Sequence, residues 1–238
     1  KFLWQMNFFG ALRQHKDSKI FWQDSEKSFQ RVSAFDSSMI KLPITRLGAV
    51  GAHNQVTDNL IQALSKQNYS EEICAYIGWA IGELADNAAT HAQVYPCFAY
   101  LEQFGENKKY LQFTIGDIGV GIPESLKSNP KYSHLSDKQA LLNAFRPYYS
   151  SRRDEEKRGK GLTDVLKIAI ECSSSLKVES NSIGYSFSFN TGVDNFSWYR
   201  PLFERNGTLL SLLFIDGHFS SVNRQDIDNY LLSCMEKI

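Results

Sequence analysis

One stretch constrains this chain more than any other. From Ser70 onward, apolar residues recur at Ile73, Ile77, Ala80, Ile81, Leu84 and Ala88, the spacing of one face of an α-helix. Ser70 offers an N-cap, and Glu71 and Glu72 put negative charge in the first turn. A helix with a broad apolar face must bury it against a second layer. The later segments supply that layer. Residues 95–102 and 110–115 read as two strands with a polar turn at Gly105-Glu106-Asn107, and residues 176–180, 185–190 and 207–215 read as three more. A second helix is expected over 162–171. The order of helices, hairpin, glycine turn, helix and strands predicts a two-layer α/β domain rather than a doubly wound one.

The rest of the chain adds detail to that plan. Residues 1–50 are aromatic-rich, with Phe2, Trp4, Phe8, Phe9, Phe21 and Trp22, and are read as an N-terminal extension holding a short helix and then strands such as 28–35 and 38–44. Val56, Leu60, Ile61 and Leu64 give an amphipathic helix over 54–66. Residues 122–158 are polar and irregular, with one helical patch near 138–145, and end in a charge run from Arg152 to Arg158. A segment of that length inside a domain reads as a lid or an insert. The domain itself is placed at 51–238.

Composition limits the function classes. Lys and Arg number 26, as do Asp and Glu, so the formal net charge is zero. That disfavours a nucleic-acid binder, which needs a basic footprint. The four cysteines, Cys74, Cys97, Cys172 and Cys234, are widely spaced. They suit buried thiols of a reducing compartment better than zinc or a disulfide framework. No apolar run is long enough to span a bilayer, and no signal segment precedes the domain. A cytoplasmic location is expected.

Three constellations carry chemistry. In the first, Glu83 and Asn87 stand four residues apart on the strongest helix, at the margin of its apolar stripe. An amide oxygen is a hard ligand suited to Mg²⁺, and a neighbouring carboxylate can orient or deprotonate water. The same pair also suits a polar seam on a half-exposed helix. In the second, Gly116-Asp117-Ile118-Gly119-Val120-Gly121 follows a strand. Its glycines allow close backbone approach to a flat ligand, and its carboxylate can accept from an exocyclic amine; an ordinary glycine turn is the plainer reading. In the third, Arg158-Gly159-Lys160-Gly161-Leu162-Thr163 opens a helix, where free N–H groups form an anion site. A solvated charge run with a hinge is its alternative.

Other motifs fail on their residues. Lys160 is followed by Gly161 instead of Ser or Thr, which excludes a P-loop. Glu124 stands where a dinucleotide fingerprint requires Gly. Gln93 and Tyr100 replace the Glu and second Cys of a zinc deaminase, and no G-x-S-x-G elbow occurs.

Taken in order, the three constellations resemble the GHKL superfamily of gyrase B, heat-shock-90 chaperones, histidine kinases and MutL proteins. Glu83 to Asn87 resembles its N box, Asp117-Ile118-Gly119-Val120-Gly121 its first glycine box, and Gly159-Lys160-Gly161-Leu162 its second. Gly207-Thr208 resembles the Gly-Thr pair of its final strand. The likeness covers about residues 54–215. It implies the Bergerat fold, an α+β two-layer sandwich whose mixed, mostly antiparallel sheet carries helices on one face. It implies ATP and Mg²⁺ as cofactors, bound under a lid near 122–158. Asn87 would hold the metal, and Glu83 would be the general base. Asp117 would take the adenine amino group, supported by Thr208. Gly119 and Gly121 would line the adenine, and Gly159, Lys160, Gly161 and Leu162 the phosphates. The second box has Thr163 where the family usually has another glycine. Residues 191–206 are long for the family, and the strand at 185–190 competes for the final position, which would displace Thr208.

Within the superfamily, none of His15, His53, His91, His134 or His218 has a phosphoacceptor context, so a self-contained histidine kinase is not expected. The Glu-x-x-x-Asn spacing resembles hydrolysing members and anti-sigma serine kinases. The implied function is an ATP-binding module of signalling or regulation, acting with a protein partner or an upstream domain, or as a homodimer. An ATPase and a catalytically silent nucleotide switch are the alternatives.

Overall fold

The apolar stripe forms α1, Glu71–His91, in the computed structural model of the protein. The structure describes residues 40–47, 57, 58, 61, 65, 71–91, 97–104, 110–151, 161–189, 195–201 and 206–215. Ile77, Ala80, Ile81, Leu84 and Ala85 of α1 are buried, as the spacing requires. Gly78 marks a close approach: a Cβ there would lie 2.6 Å from Ile61 Cδ1. Of the helix expected over 54–66, residues 57, 58, 61 and 65 are described, and all four are helical.

Among the described residues, seven strands form one sheet in the order β1-β2-β3-β7-β4-β5-β6. They are β1 Ile40–Leu47, β2 Cys97–Phe104, β3 Tyr110–Asp117, β4 Ser175–Ser180, β5 Ile183–Ser188, β6 Asn195–Tyr199 and β7 Thr208–Ile215. Every pairing among them is antiparallel, where a mixed sheet was expected. The reason is topological. β3 and β4 both pair antiparallel with β7 and so run the same way, but β7 inserts between them and removes the one parallel contact the helical crossover would create.

Burial alternates along the strands. Ala99 and Leu101 of β2, Phe113 and Ile115 of β3, Leu176 and Val178 of β4, Tyr185 and Phe187 of β5, and Leu210 and Leu212 of β7 share one core with α1 and with α4, Gly161–Glu171. One buried face and one wetter face is the pattern of an antiparallel sheet covered on one side. The architecture is α+β. β6 was not legible in the sequence, where 191–206 reads as a long connection. It is a five-residue strand at the edge of the described sheet, pairs with β5, and stays largely exposed, so no buried alternation marks it. β1 lies in the segment read as the extension and pairs with β2. The other readings of residues 1–39 fall outside the described residues.

Residues 122–151 are more ordered than their polar sequence suggests. They form α2, Ile122–Lys127, a 3₁₀ turn at Pro130–Tyr132, and α3, Asp137–Asn143. Short helices leave little periodic signal, and local chemistry defines them instead. Pro123 stands in the first turn of α2, and Ser136 and Gln139 form a capping box on α3. Leu126, Tyr132, Ala140 and Ala144 make a small second core, joined to the main one by Ile122 and Leu162. Three hydrogen bonds help fasten the unit: Ile122 N–H donates to Ser180 Oγ at 2.8 Å, Thr163 Oγ1 to the Phe145 carbonyl at 3.0 Å, and the Tyr185 hydroxyl to the Lys138 carbonyl at 3.2 Å. The charge run at 152–158 lies outside the described residues. Among those described, no helix is long and apolar enough to cross a membrane.

Candidate functional site

The first constellation meets the third. Glu83 and Asn87 lie one turn apart on α1, and Gly161 opens α4 against them. A Cβ on Gly161 would collide with Glu83 Oε2 and lie 3.2 Å from Asn87 Nδ2. A side chain at position 161 would have to displace the ends of Glu83 and Asn87. The first N–H groups of a helix have no partner within the helix itself, so a carboxylate beside the start of the eleven-residue α4 is favoured by the helix dipole. The other Glu83 oxygen, Oε1, accepts from Trp79 Nε1 at 3.2 Å.

Asn87 Nδ2 is buried and has no hydrogen-bond partner. A buried unpaired amide costs about 1–3 kcal/mol, so it calls for a reason. Turned about its last torsion, the amide offers its oxygen instead, the type of ligand that hard cations take. Among the described residues, no group of three or more His, Cys, Asp or Glu gathers as a metal-ligand set. A cation held here would find the Asn87 amide oxygen as a ligand.

The second constellation meets the Gly-Thr pair. Asp117 ends β3 and folds back on itself: Gly119 N–H donates to its Oδ1 at 2.8 Å, an Asx turn. The Thr208 backbone N–H also donates to its carboxylate. Gly207, at φ 92°, passes so close that a Cβ would collide with the Asp117 backbone and lie 2.8 Å from Oδ1. Gly121, at φ 83°, is equally crowded by Ser180 and Asn181. Both positions need glycine for conformation and for space. Burial pushes the Asp117 carboxyl above its ordinary value, against the lowering effect of its two backbone N–H donors. A carboxylate has about four acceptor positions, so two N–H bonds leave it capacity for a ligand amine.

The sequence left open whether residues 185–190 or 207–215 form the final strand. β7 takes the position beside β3 and β4, so Thr208 stands next to Asp117. Sequence reasoning missed Ser180 and Asn181, at the end of β4. Ser180 Oγ accepts from Ile122 N–H at 2.8 Å, lies 3.1 Å from Thr208 Oγ1, and donates to the Gly207 carbonyl at 3.2 Å. Asn181, at φ 55° in a two-residue turn, donates from its amide to the Val120 carbonyl at 3.1 Å. The only sequence signal was a polar Ser-Asn-Ser turn, which is common.

The chain bounds the separation of the two groups. Cys97 pairs directly with Asp117 across β2 and β3, and only residues 92–96 separate it from the end of α1. That tether spans at most about 20 Å, and Asn87 sits one turn before it. The Leu162 side chain, half-buried, packs against both cores. Gly159 and Lys160 lie outside the described residues.

No family model matches this chain, and no curated protein matches it in sequence. Among solved structures, it is similar to the mycobacterial sensor histidine kinase MprB, at 19% identity and a TM-score of 0.34, over 60% of this chain and 71% of that one. At that overlap the likeness carries no functional argument. The functional reading rests on the site's own geometry.

Proposed function

We propose that the chain is a Mg²⁺-dependent ATP-binding module of the GHKL type, with the Bergerat form of the α+β fold and a regulatory or signalling role in the cytoplasm. One observation carries the reading. Two pairs of motifs, each separated by roughly 75–90 residues, interlock at glycines: Gly161 against Glu83 and Asn87, and Gly207 against Asp117. Chance motifs have no reason to meet in this way.

The residues fit the group. Asp117, with a half-buried carboxylate and spare acceptor capacity, would take the adenine amino group, and Thr208 would stand beside it. Gly119 and Gly121 would let the backbone approach the base. The first turn of α4 at Gly161 would receive phosphate oxygens, with Lys160 and Gly159 next in the chain. Asn87 would meet the metal or a phosphate oxygen with its unpaired amide. Bound Mg²⁺ would neutralise phosphate charge. Glu83, held by Trp79, would be the general base if the module hydrolyses ATP or transfers its phosphoryl group. A protein partner or a second copy of the chain would receive the signal.

Two measurements test this. ATP affinity should depend on Mg²⁺ and fall about tenfold or more in Asn87→Ala, as the loss of a charge-assisted contact implies. Phosphate release, where it occurs, should disappear in Glu83→Ala while binding persists. Binding without turnover in the wild type would leave the switch reading, and no binding at all would overturn both.

A further inference from the structure

Ser180 is completely buried, and nothing in the nucleotide reading uses it. Its hydrogen-bond arithmetic has a consequence for that reading. A serine hydroxyl has one proton and two lone pairs. Ile122 N–H can only donate, so it occupies one lone pair, at 2.8 Å. The Gly207 carbonyl can only accept, so it takes the Ser180 proton, at 3.2 Å. The third contact, Thr208 Oγ1 at 3.1 Å, is satisfied only when Thr208 donates into the remaining lone pair. Ser180 is then saturated. The Thr208 hydroxyl has spent its proton inward and has only lone pairs left to offer a ligand.

Asp117 stands next to it, already bonded to Gly119 N–H and Thr208 N–H. Both side chains at this corner therefore present acceptors. We infer that Ser180 is a specificity-positioning residue: by fixing the proton of Thr208, it makes the base pocket select a purine bearing an amino group over one bearing a carbonyl at the same position. The inference rests on the ATP reading and adds the device that enforces the choice of base. Ser180 does not touch the ligand; it acts through Thr208. It also ties three chain segments together, through Ile122 at the start of α2, Gly207, and Thr208 on β7.

The test compares Mg-ATP with Mg-ITP, which differ at the six-position of the base in presenting an amino or an oxo group. Calorimetry is run on the full chain, as wild type, Ser180→Ala and Thr208→Val. The readout is the ratio of the two affinities, which a merely structural loosening would not move, since it weakens both ligands alike. In Ser180→Ala the Thr208 proton is released and can meet the oxo group. In Thr208→Val the acceptor is gone. The ATP:ITP preference should narrow about three- to tenfold in each, the effect of one hydrogen bond. Wild type that prefers ATP, with an unchanged preference in both variants, overturns the role of Ser180 and leaves the nucleotide reading intact. Wild type that binds neither ligand overturns the nucleotide reading and this inference together. If Ser180→Ala fails to fold, Ser180→Cys, whose sulfur is a weak acceptor for the Thr208 proton, decides by the same ratio: a narrowed preference supports the role of Ser180, and an unchanged one overturns it.

Discussion

At the scale of single residues, the candidate site is built from groups that cost the fold stability. Asp117 shows this most directly, because burial raises its carboxyl above the ordinary value of 3.8. An acid whose folded pKa exceeds its unfolded one leaves stability undiminished below the unfolded value. Stability then falls as pH rises toward the folded pKa and stays at the lower level above it. Asp117→Asn removes the charge and keeps an acceptor for Gly119 N–H. Thermal melts at pH 7 should find this variant as stable as the wild type or more so, with nucleotide affinity reduced at least tenfold. A clear loss of stability would mean that the carboxylate serves the fold. Asn87 argues the same way from a different cause. Its buried amide nitrogen lacks a partner, so Asn87→Ala should leave the urea midpoint unchanged or raised while it weakens ligand binding. The thiol of Cys97, opposite Asp117, is pushed up to about 12, by burial first and the Asp117 carboxylate second, and burial carries Cys172 to about 12 as well. Both should resist alkylation in native protein at pH 8 and react in urea; rapid native labelling would contradict their burial.

At the scale of elements, what was legible depended on the length of the pattern. α1 has six apolar positions at helical spacing, and the four whose side chains are described, Ile77, Ala80, Ile81 and Leu84, pack in the core where that spacing directs them. The strands of the central sheet were readable because one face is buried and the other is not. β6 was not, because an edge strand half in solvent carries no such alternation. The helices of 122–151 were hidden for a related reason. They are six and seven residues long, and a capping box, a proline and a small satellite core define them. That unit is pinned to the site through α4. Thr163→Val removes a buried donor and strands the Phe145 carbonyl, which should cost about 1–3 kcal/mol in denaturant melts; no loss would mean the unit is held by apolar packing alone. Gly161→Ala tests the other end of the same contact. Its Cβ would meet only the ends of the Glu83 and Asn87 side chains, which can swing aside. The substitution should therefore lower ligand affinity by displacing those two groups, with stability close to wild type; unchanged affinity would contradict the contact.

At the scale of the whole molecule, the sheet order brings distant motifs together. β7, the last described strand, inserts between β3 and β4, which sets Gly207 and Thr208 against Asp117. The helical crossover between β3 and β4 returns as α4 beside α1, which sets Gly161 against Glu83 and Asn87. The sequence made those motifs recognisable one by one. Their meeting, and the Ser180–Thr208 contact beneath them, depend on strand order and register, which no local pattern encodes. The direct test of this account is a calorimetric titration of the full chain with Mg-ATP, in wild type and Asp117→Ala. The account predicts saturable one-to-one binding that weakens about tenfold or more in the variant. Absence of binding in the wild type, or equal affinity in both, would contradict it.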